Sequence, residues 1–504
     1  MTPRALGLLL VVAHAGATAG LAQGYRLRFD GRAQSVAFRG VIADSLLAVQ
    51  VVTGEGGGLI TPDGIAVRCL GGTYCYFFRP GPERRGVPIS ASASLVLWGL
   101  GVAGLSVHTT ARLITDLGDG TVWPGTEPAG QLLEGYAQYE RDWLTVRAGR
   151  LLRASRLEAL GFDGASARAR VPRYDLEATG YAGWGLGLAA AVPFSSPALN
   201  PLDEWRPRDR QLVAGGELLW SPGPGEARVE YRREVDPQTD YFVSERAAVS
   251  LRAHALGPFR ATGGFDYNLA EGHVGSADLT ATWITPRLTL NAGARRYRPY
   301  FSLWTLWGAF SPVPYHAVHG SAQATATAWL QLRVRGERYW YQDAEASTPL
   351  VQVEDKGWRF GAGATAAPNE RWTLDAGYHA EFGPGASSRG LDAMVAWRLG
   401  PRLSLTGYGG ALERPLELRT WDATTRWVGG RGEWRALASG RPGWGLLDDA
   451  RLWAEITWFN EDRDRPDAAA TGFDQLRLRG GVTLMLTSSA DRMTLPPATR
   501  RRDP

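Results

Sequence analysis

From Tyr25 onward, apolar and polar residues alternate at every second position over most of the chain. Leu476 to Leu486 reads Leu-Arg-Leu-Arg-Gly-Gly-Val-Thr-Leu-Met-Leu, with Arg477, Arg479 and Thr483 set between small or apolar residues. Successive side chains in a strand point to opposite faces, so this pattern predicts strands with one apolar and one polar face. Trp372, Leu374, Ala376, Tyr378, Ala380 and Phe382 share one face, and Thr373, Asp375, His379 and Glu381 the other. The same split separates Leu288, Leu290, Ala292 and Ala294 from Arg287, Thr289, Asn291 and Arg295. It also separates Leu330, Leu332 and Val334 from Gln331, Arg333, Arg335 and Glu337.

The connections between these segments alternate in length. Short turns are expected at 221–225, 256–258, 285–286, 367–370 and 400–401, and between them mostly longer connections at 193–207, 299–315, 342–355, 414–423 and 461–472, with shorter ones at 235–239, 269–272 and 384–387. Tight turns on one side and long loops on the other are a property of outer-membrane barrels. The expected strands are 25–38, 89–100, 103–115, 131–140, 143–151, 164–171, 173–192, 208–220, 225–234, 240–254, 257–268, 272–284, 286–298, 316–328, 330–341, 356–366, 371–383, 387–399, 401–413, 424–438, 448–460 and 473–486. The fold class is therefore all-β, a single large antiparallel transmembrane β-barrel of 18–22 strands with 22 the best count. Residues 39–88 are expected to form a long first outward loop or a small plug-like element, and 487–504 a disordered periplasmic tail.

Aromatic residues agree with this arrangement. Trp98, Trp143, Trp220, Trp283, Trp329, Trp372 and Trp397 fall near short turns, while Tyr241, Tyr267, Tyr297, Trp340, Trp427 and Trp458 fall toward the other strand ends. Two aromatic belts are expected where a barrel meets the two membrane interfaces. Residues 1–22 have the layout of a cleaved signal peptide, with Arg4, an apolar stretch and small residues up to Ala22. No later segment is long and apolar enough for a spanning helix.

Composition adds less. The formal charge of +4 over 504 residues gives no reason to expect nucleic-acid binding. Lys356 is the only lysine, a bias that genome composition or selection for bidentate Arg contacts would each produce. Cys69 and Cys75, the only cysteines, are expected to close a small loop as a disulfide. Hydrolase and nucleotide motifs are absent from credible settings, and His316 and His319 would share a metal only in a loop, since i and i+3 on a strand face opposite ways. No catalytic residue, metal or cofactor is expected, although a barrel enzyme is a weaker alternative.

One stretch stands out. Arg141-Asp-Trp-Leu-Thr-Val-Arg147-Ala-Gly-Arg150-Leu-Leu-Arg153-Ala-Ser-Arg156 is followed by Gly161-Phe162-Asp163-Gly164. A strand ending in Ala-Gly-Arg, an Arg-bearing segment and then Phe-Asp-Gly resembles the corresponding stretch of outer-membrane porins of the alginate-export type. Leu151 stands where that family usually has Gln. The resemblance implies a barrel passing an anionic polysaccharide, with Arg147, Arg150, Arg153, Arg156 and Asp163 at a lumen constriction; equally, these residues could only brace a loop inside the barrel. Alternation places Arg228, Glu230, Arg232, Arg252, Arg287, Arg295, Arg333, Arg335, Glu337, Asp375, Glu381, Arg477 and Arg479 on the lumen face. Together these features predict a monomeric channel in a bacterial outer membrane, in contact with lipid and passing small or oligomeric anionic solutes. A plugged, non-conducting surface barrel or a soluble extracellular β protein would share much of the pattern.

Overall fold

The computed structural model describes residues 24–54, 58–69, 71–118, 130–186, 211–235, 242–298, 315–341, 356–383, 387–416, 423–437, 447–463 and 473–488. Every expected strand overlaps an observed one, and neighbours in sequence pair antiparallel around the whole sheet. Closure is made by the two ends of the chain. Strand Gly24–Leu47 pairs with Phe473–Thr487 from Arg26↔Thr487 to Ser35↔Leu478, and Tyr25 and Ser488 hydrogen-bond beside the seam. Among the described residues, the chain is a closed antiparallel β-barrel of 22 strands.

Alternation is possible here because the two faces meet different surroundings. Leu218, Val229, Leu251 and Leu279 are 45%, 49%, 57% and 62% exposed, so this face has no protein core to cover it. The other face carries arginines and carboxylates that reach across strands to one another. Large rings on one strand lie over glycines of the next. Tyr339 covers Gly357, Tyr408 covers Gly429 and Trp453 covers Gly481, positions where an added Cβ would overlap the ring. The glycines in these strands thus leave room for aromatic side chains.

Two segments depart from expectation. Within residues 39–88, expected as a long outward loop or a small plug-like element, 39–47 and 74–86 are paired strands, and 48–73 lie between them. Strand Gly24–Leu47 continues past the seam and pairs with Tyr74–Gly86 from Val36↔Gly86 to Leu47↔Tyr74, while Pro88–Trp98 carries the same hairpin down into the wall. This twelve-residue extension projects about 40 Å if fully extended and forms a stalk at the long-loop end. The stalk ends in a compact tip where Ala48 donates to Thr73 and Cys69 is joined to Cys75. On its side, the Ser45 amide and the Arg79 guanidinium both donate to Asp44, at 2.8 and 2.6 Å, and hold that carboxyl below the ordinary range.

The second departure is the Arg-rich stretch. Strands Leu144–Ser155 and Glu158–Val171 form a hairpin joined by Arg156-Leu157, where a longer loop was expected. The signal-peptide region, most of the expected outward loops and residues 489–504 lie outside the described residues, although Thr487 and Ser488 belong to the seam and not to a tail.

Candidate functional site

The tip of the Arg-rich hairpin leaves the barrel wall. Leu144–Ser155 pairs with strand Gly130–Glu140 only as far as Gly135↔Arg150, and Glu158–Val171 pairs with strand Leu176–Gly185 only from Phe162↔Gly185. Past Gly161, whose carbonyl accepts from the Leu186 amide, the two arms pair only with each other among the described residues. Gly149 makes the departure feasible. Its φ is +133°, and a Cβ there would overlap the Gly135 carbonyl, so no L side chain fits in shape or conformation. Gly149→Val is expected to prevent the hairpin from leaving the wall in this direction, measured as lost crosslinking between Arg156→Cys and Asp278→Cys in the same chain.

Arg150 then locks the base of the hairpin. Its Nε and Nη2 donate to both oxygens of Asp163 at 2.7 and 3.0 Å, and its Nη1 donates to the Leu132 carbonyl at 3.0 Å. Such a bidentate pair is geometrically demanding, which accounts for the joint presence of Ala-Gly-Arg and Phe-Asp-Gly in the sequence. Phe162, only 1% exposed, packs with Leu151, Tyr181 and Val213, against which Tyr136 and Leu160 also lie. This is an apolar cluster on the otherwise polar face.

The tip meets distant strands. Arg156 donates to Asp278, which stands on strand His273–Ile284 with five strands between it and the hairpin along the wall. Contacts between such distant strands of a closed sheet run across its interior, so the face bearing Asp278 is the inner one. The Arg156 amide donates to Glu230 at 3.1 Å, Arg153 donates to Glu217 and lies 4.8 Å from the Tyr181 ring centre, and Arg246 donates to the Leu157 carbonyl at 2.7 Å. Glu158 takes a φ of +75°, uncommon for a side-chain-bearing residue, and its carboxylate lies 3.4 Å from Arg246. Leu157, Glu230, Arg232 and Arg246 are all buried beneath this contact.

The hairpin singled out in the sequence thus meets partners that the sequence did not indicate. Glu217, Asp278 and Arg246 lie on strands remote in sequence, Glu158 lies within the hairpin itself, and nothing local marks any of them. Arg147 has a different setting, donating to Gln138 at 2.8 Å and lying 5.5 Å from the Tyr136 ring.

The other expected lumen residues divide into groups. Arg228 and Arg252 face Glu226, and Arg232 faces Glu234 at 3.1 Å. Farther round the wall Glu337 accepts from Arg295, Arg359 and Tyr315, and Arg359 also pairs with Glu381 at 2.8 Å. Arg333 holds Asp375 through two bonds of 2.7 and 2.8 Å. Arg479 pairs with Glu455, and Arg477 donates to Gln475 at 2.7 Å. Arg335 shares the parity of Arg333 in strand Leu330–Tyr341 and lies near Gly361. Arg287 does not belong to a strand: it sits in the turn before Leu288–Tyr297, where its carbonyl accepts from Thr325. Arg359 was missed, although its flanking residues Trp358 and Phe360 carry the alternation that would have found it.

Four arginines on strands near the seam are held by neutral groups. Arg32 donates to Ser90 at 2.9 Å, Arg112 to Gln131 at 2.6 Å, Arg147 to Gln138 and Arg477 to Gln475. Their strands fall within six consecutive strands that include the seam. A carboxylate partner largely cancels an arginine's field, whereas an amide or hydroxyl fixes the guanidinium and leaves its charge intact. Glu134 is the carboxylate in mid-strand on this sector, and Asp30 is engaged by Arg28 and Thr483. His316 and His319 lie in strand Tyr315–Thr327, with His316 stacked on Trp340, and the described residues contain no metal-ligating cluster.

No family model and no curated protein matches the sequence. Among solved structures, a BenF-like porin from Pseudomonas fluorescens Pf-5 is similar over 92% of this chain and 99% of its own, with 9% identity and a TM-score of 0.41. OccK2 (OpdF) of Pseudomonas aeruginosa covers 92% and 98% at 10% identity and a TM-score of 0.40. OccAB2 of Acinetobacter baumannii covers the same shares at 10% identity and a TM-score of 0.39. The barrel stands on its own strand pairing, and the resemblance to alginate-export porins rests on the motif between Arg141 and Gly164.

Proposed function

We propose that this protein is an outer-membrane channel that passes small or oligomeric anionic, hydrophilic solutes by diffusion. The observation that carries the reading is a closed barrel with apolar side chains exposed outside and charged ones inside, the reverse of a soluble protein. Exposed aromatics near the short turns, such as Trp143 at 60%, Trp220 at 51% and Trp329 at 49%, fit one of the expected interface belts. Passage needs no catalytic group, only weak and repeated binding along the path.

The infolded tip supports a constriction. Arg150, Arg153 and Arg156 brace it through Asp163, Glu217 and Asp278, and what narrows the lumen is the braced hairpin itself. Both sequence-based alternatives, brace and constriction, then describe the same residues. Anion preference is supported by the arginines held by Ser90, Gln131, Gln138 and Gln475, whose charges face the part of the lumen by the seam.

Planar-bilayer recording tests this directly. The wild-type protein is expected to conduct, with a reversal potential in a salt gradient that reports anion preference. Replacing Arg32, Arg112 and Arg477 together with Gln is expected to shift that potential toward cations while leaving the ion-paired wall intact. A non-conducting wild type would favour a plugged surface barrel, and cation selectivity would refute the anionic part of the reading.

A further inference from the structure

The stalk has a function of its own to offer. In its pairing, Leu47 stands opposite Tyr74, Ser45 opposite Tyr76 and Ala43 opposite Phe78, and opposed residues share a face. Tyr74, Tyr76 and Phe78 therefore form a row on one face, at about 7 Å intervals along the strand. They are 51%, 55% and 68% exposed, far above what a packed ring shows. On the other side of this row the short strand Arg68–Cys69 pairs with Tyr76 and Cys75, which puts Arg68 on the aromatic face beside Tyr76. Arg68 is exposed and has no hydrogen-bond or ion-pair partner among the described residues. Just after it, the Cys69–Cys75 bond ties the short strand to the aromatic one.

We propose that this face is a docking site for an acidic oligosaccharide, the channel's own cargo, captured at the outward mouth before entry. A sugar chain presents alternating C–H faces and hydroxyls. Rings with an apolar body and, in Tyr74 and Tyr76, a polar tip suit both features. Ser45 adds a hydroxyl between them. Arg68 supplies the charge complementarity: an exposed guanidinium with no carboxylate partner among the described residues selects a carboxylated or sulfated chain over a neutral one. Acyl chains would bury such a row but leave Arg68, which lies within it, without an anionic partner. The disulfide holds Arg68 in register with Tyr76, so the face is organised before the ligand arrives.

This inference rests on the channel reading, because the stalk borders the mouth only if the long-loop end faces outward. Its test separates the two. Full-length protein in detergent is titrated with polygalacturonate oligomers and with dextran, while conductance is recorded for the same preparations. Wild type is expected to bind polygalacturonate more tightly than dextran. Tyr74→Ala, Tyr76→Ala and Phe78→Ala combined are expected to weaken binding by about tenfold or more, with conductance and heat-modifiable gel migration unchanged. Arg68→Gln is expected to abolish the preference for the acidic chain and to keep residual binding to both. Reduction of the disulfide is expected to act in the same direction as Arg68→Gln. Wild type that fails to bind polygalacturonate, or a triple variant that binds it as well as wild type, would overturn the proposal. So would binding confined to vesicles containing lipopolysaccharide, which would assign the face to membrane glycolipid. Loss of conductance in wild type would instead strike the channel reading, whatever the binding result.

Discussion

Replacing residues 151–162 with Asn-Gly is expected to raise single-channel conductance several-fold. Arg150 and Asp163 are opposed residues in the hairpin ladder, so a two-residue turn joins them without disturbing the strands below. Asn-Gly supplies the conformation that a tight hairpin turn between twisted strands demands. The bidentate Arg150–Asp163 pair remains to close the new turn. What disappears is the infolded tip with Arg153, Arg156 and Leu157, the part that meets Glu217, Glu230, Arg246 and Asp278. Conductance equal to wild type would mean that the tip lies against the wall without obstructing the path. A second change is expected alongside the first: the released carboxylates of Glu217, Glu230 and Asp278 would lower anion preference, which the reversal potential would report.

Phe162→Ala should have the largest effect on stability. The side chain is 1% exposed and fills the centre of the cluster made by Leu151, Tyr181 and Val213. Emptying such a site costs about 3–5 kcal/mol in packed interiors. The 22-strand ladder does not depend on this cluster, so the loss is local. The hairpin is expected to detach while the barrel stays closed. Current traces would then show frequent switching between two conductance levels, and proteolysis in detergent would cut between Leu151 and Leu160, whereas the heat-modified gel shift of the barrel would stay at its wild-type temperature. A single conductance level with a protected hairpin would show that the ion pairs alone hold the tip.

How much of this could be seen in the sequence depends on what each segment touches. In strands such as Trp372–Phe382, one face turns outward with apolar side chains and the other inward with polar ones, so the two surroundings impose alternation and the strand is legible residue by residue. The stalk from Val36 to Leu47 and the tip from Leu151 to Leu160 are not part of the barrel wall. Their residues obey packing and pairing rules that leave no period-two signature, and both were expected as loops for that reason. The polar network shows the same limit. Arg333 and Asp375 could be placed on a common face by counting, but not brought together, since they stand two strands apart with Thr365 between them. Arg156 and Asp278 were farther out of reach still, because a contact across the barrel is fixed by closure and not by any local run of residues.

The seam between Arg26–Ser35 and Leu478–Thr487 also governs how the protein can be made. Neighbouring strands elsewhere find each other through short connections, but this pairing joins residues more than 440 positions apart. Contacts so distant in sequence form slowly, because the entropy of the intervening loop must be overcome first. Until the final strand arrives, the first strand and strand Leu447–Arg463 each present an unpaired edge able to recruit another chain. The nascent barrel is therefore most vulnerable to aggregation at the last step of its assembly, and a chain cut before Phe473 would be held at that step with both edges open.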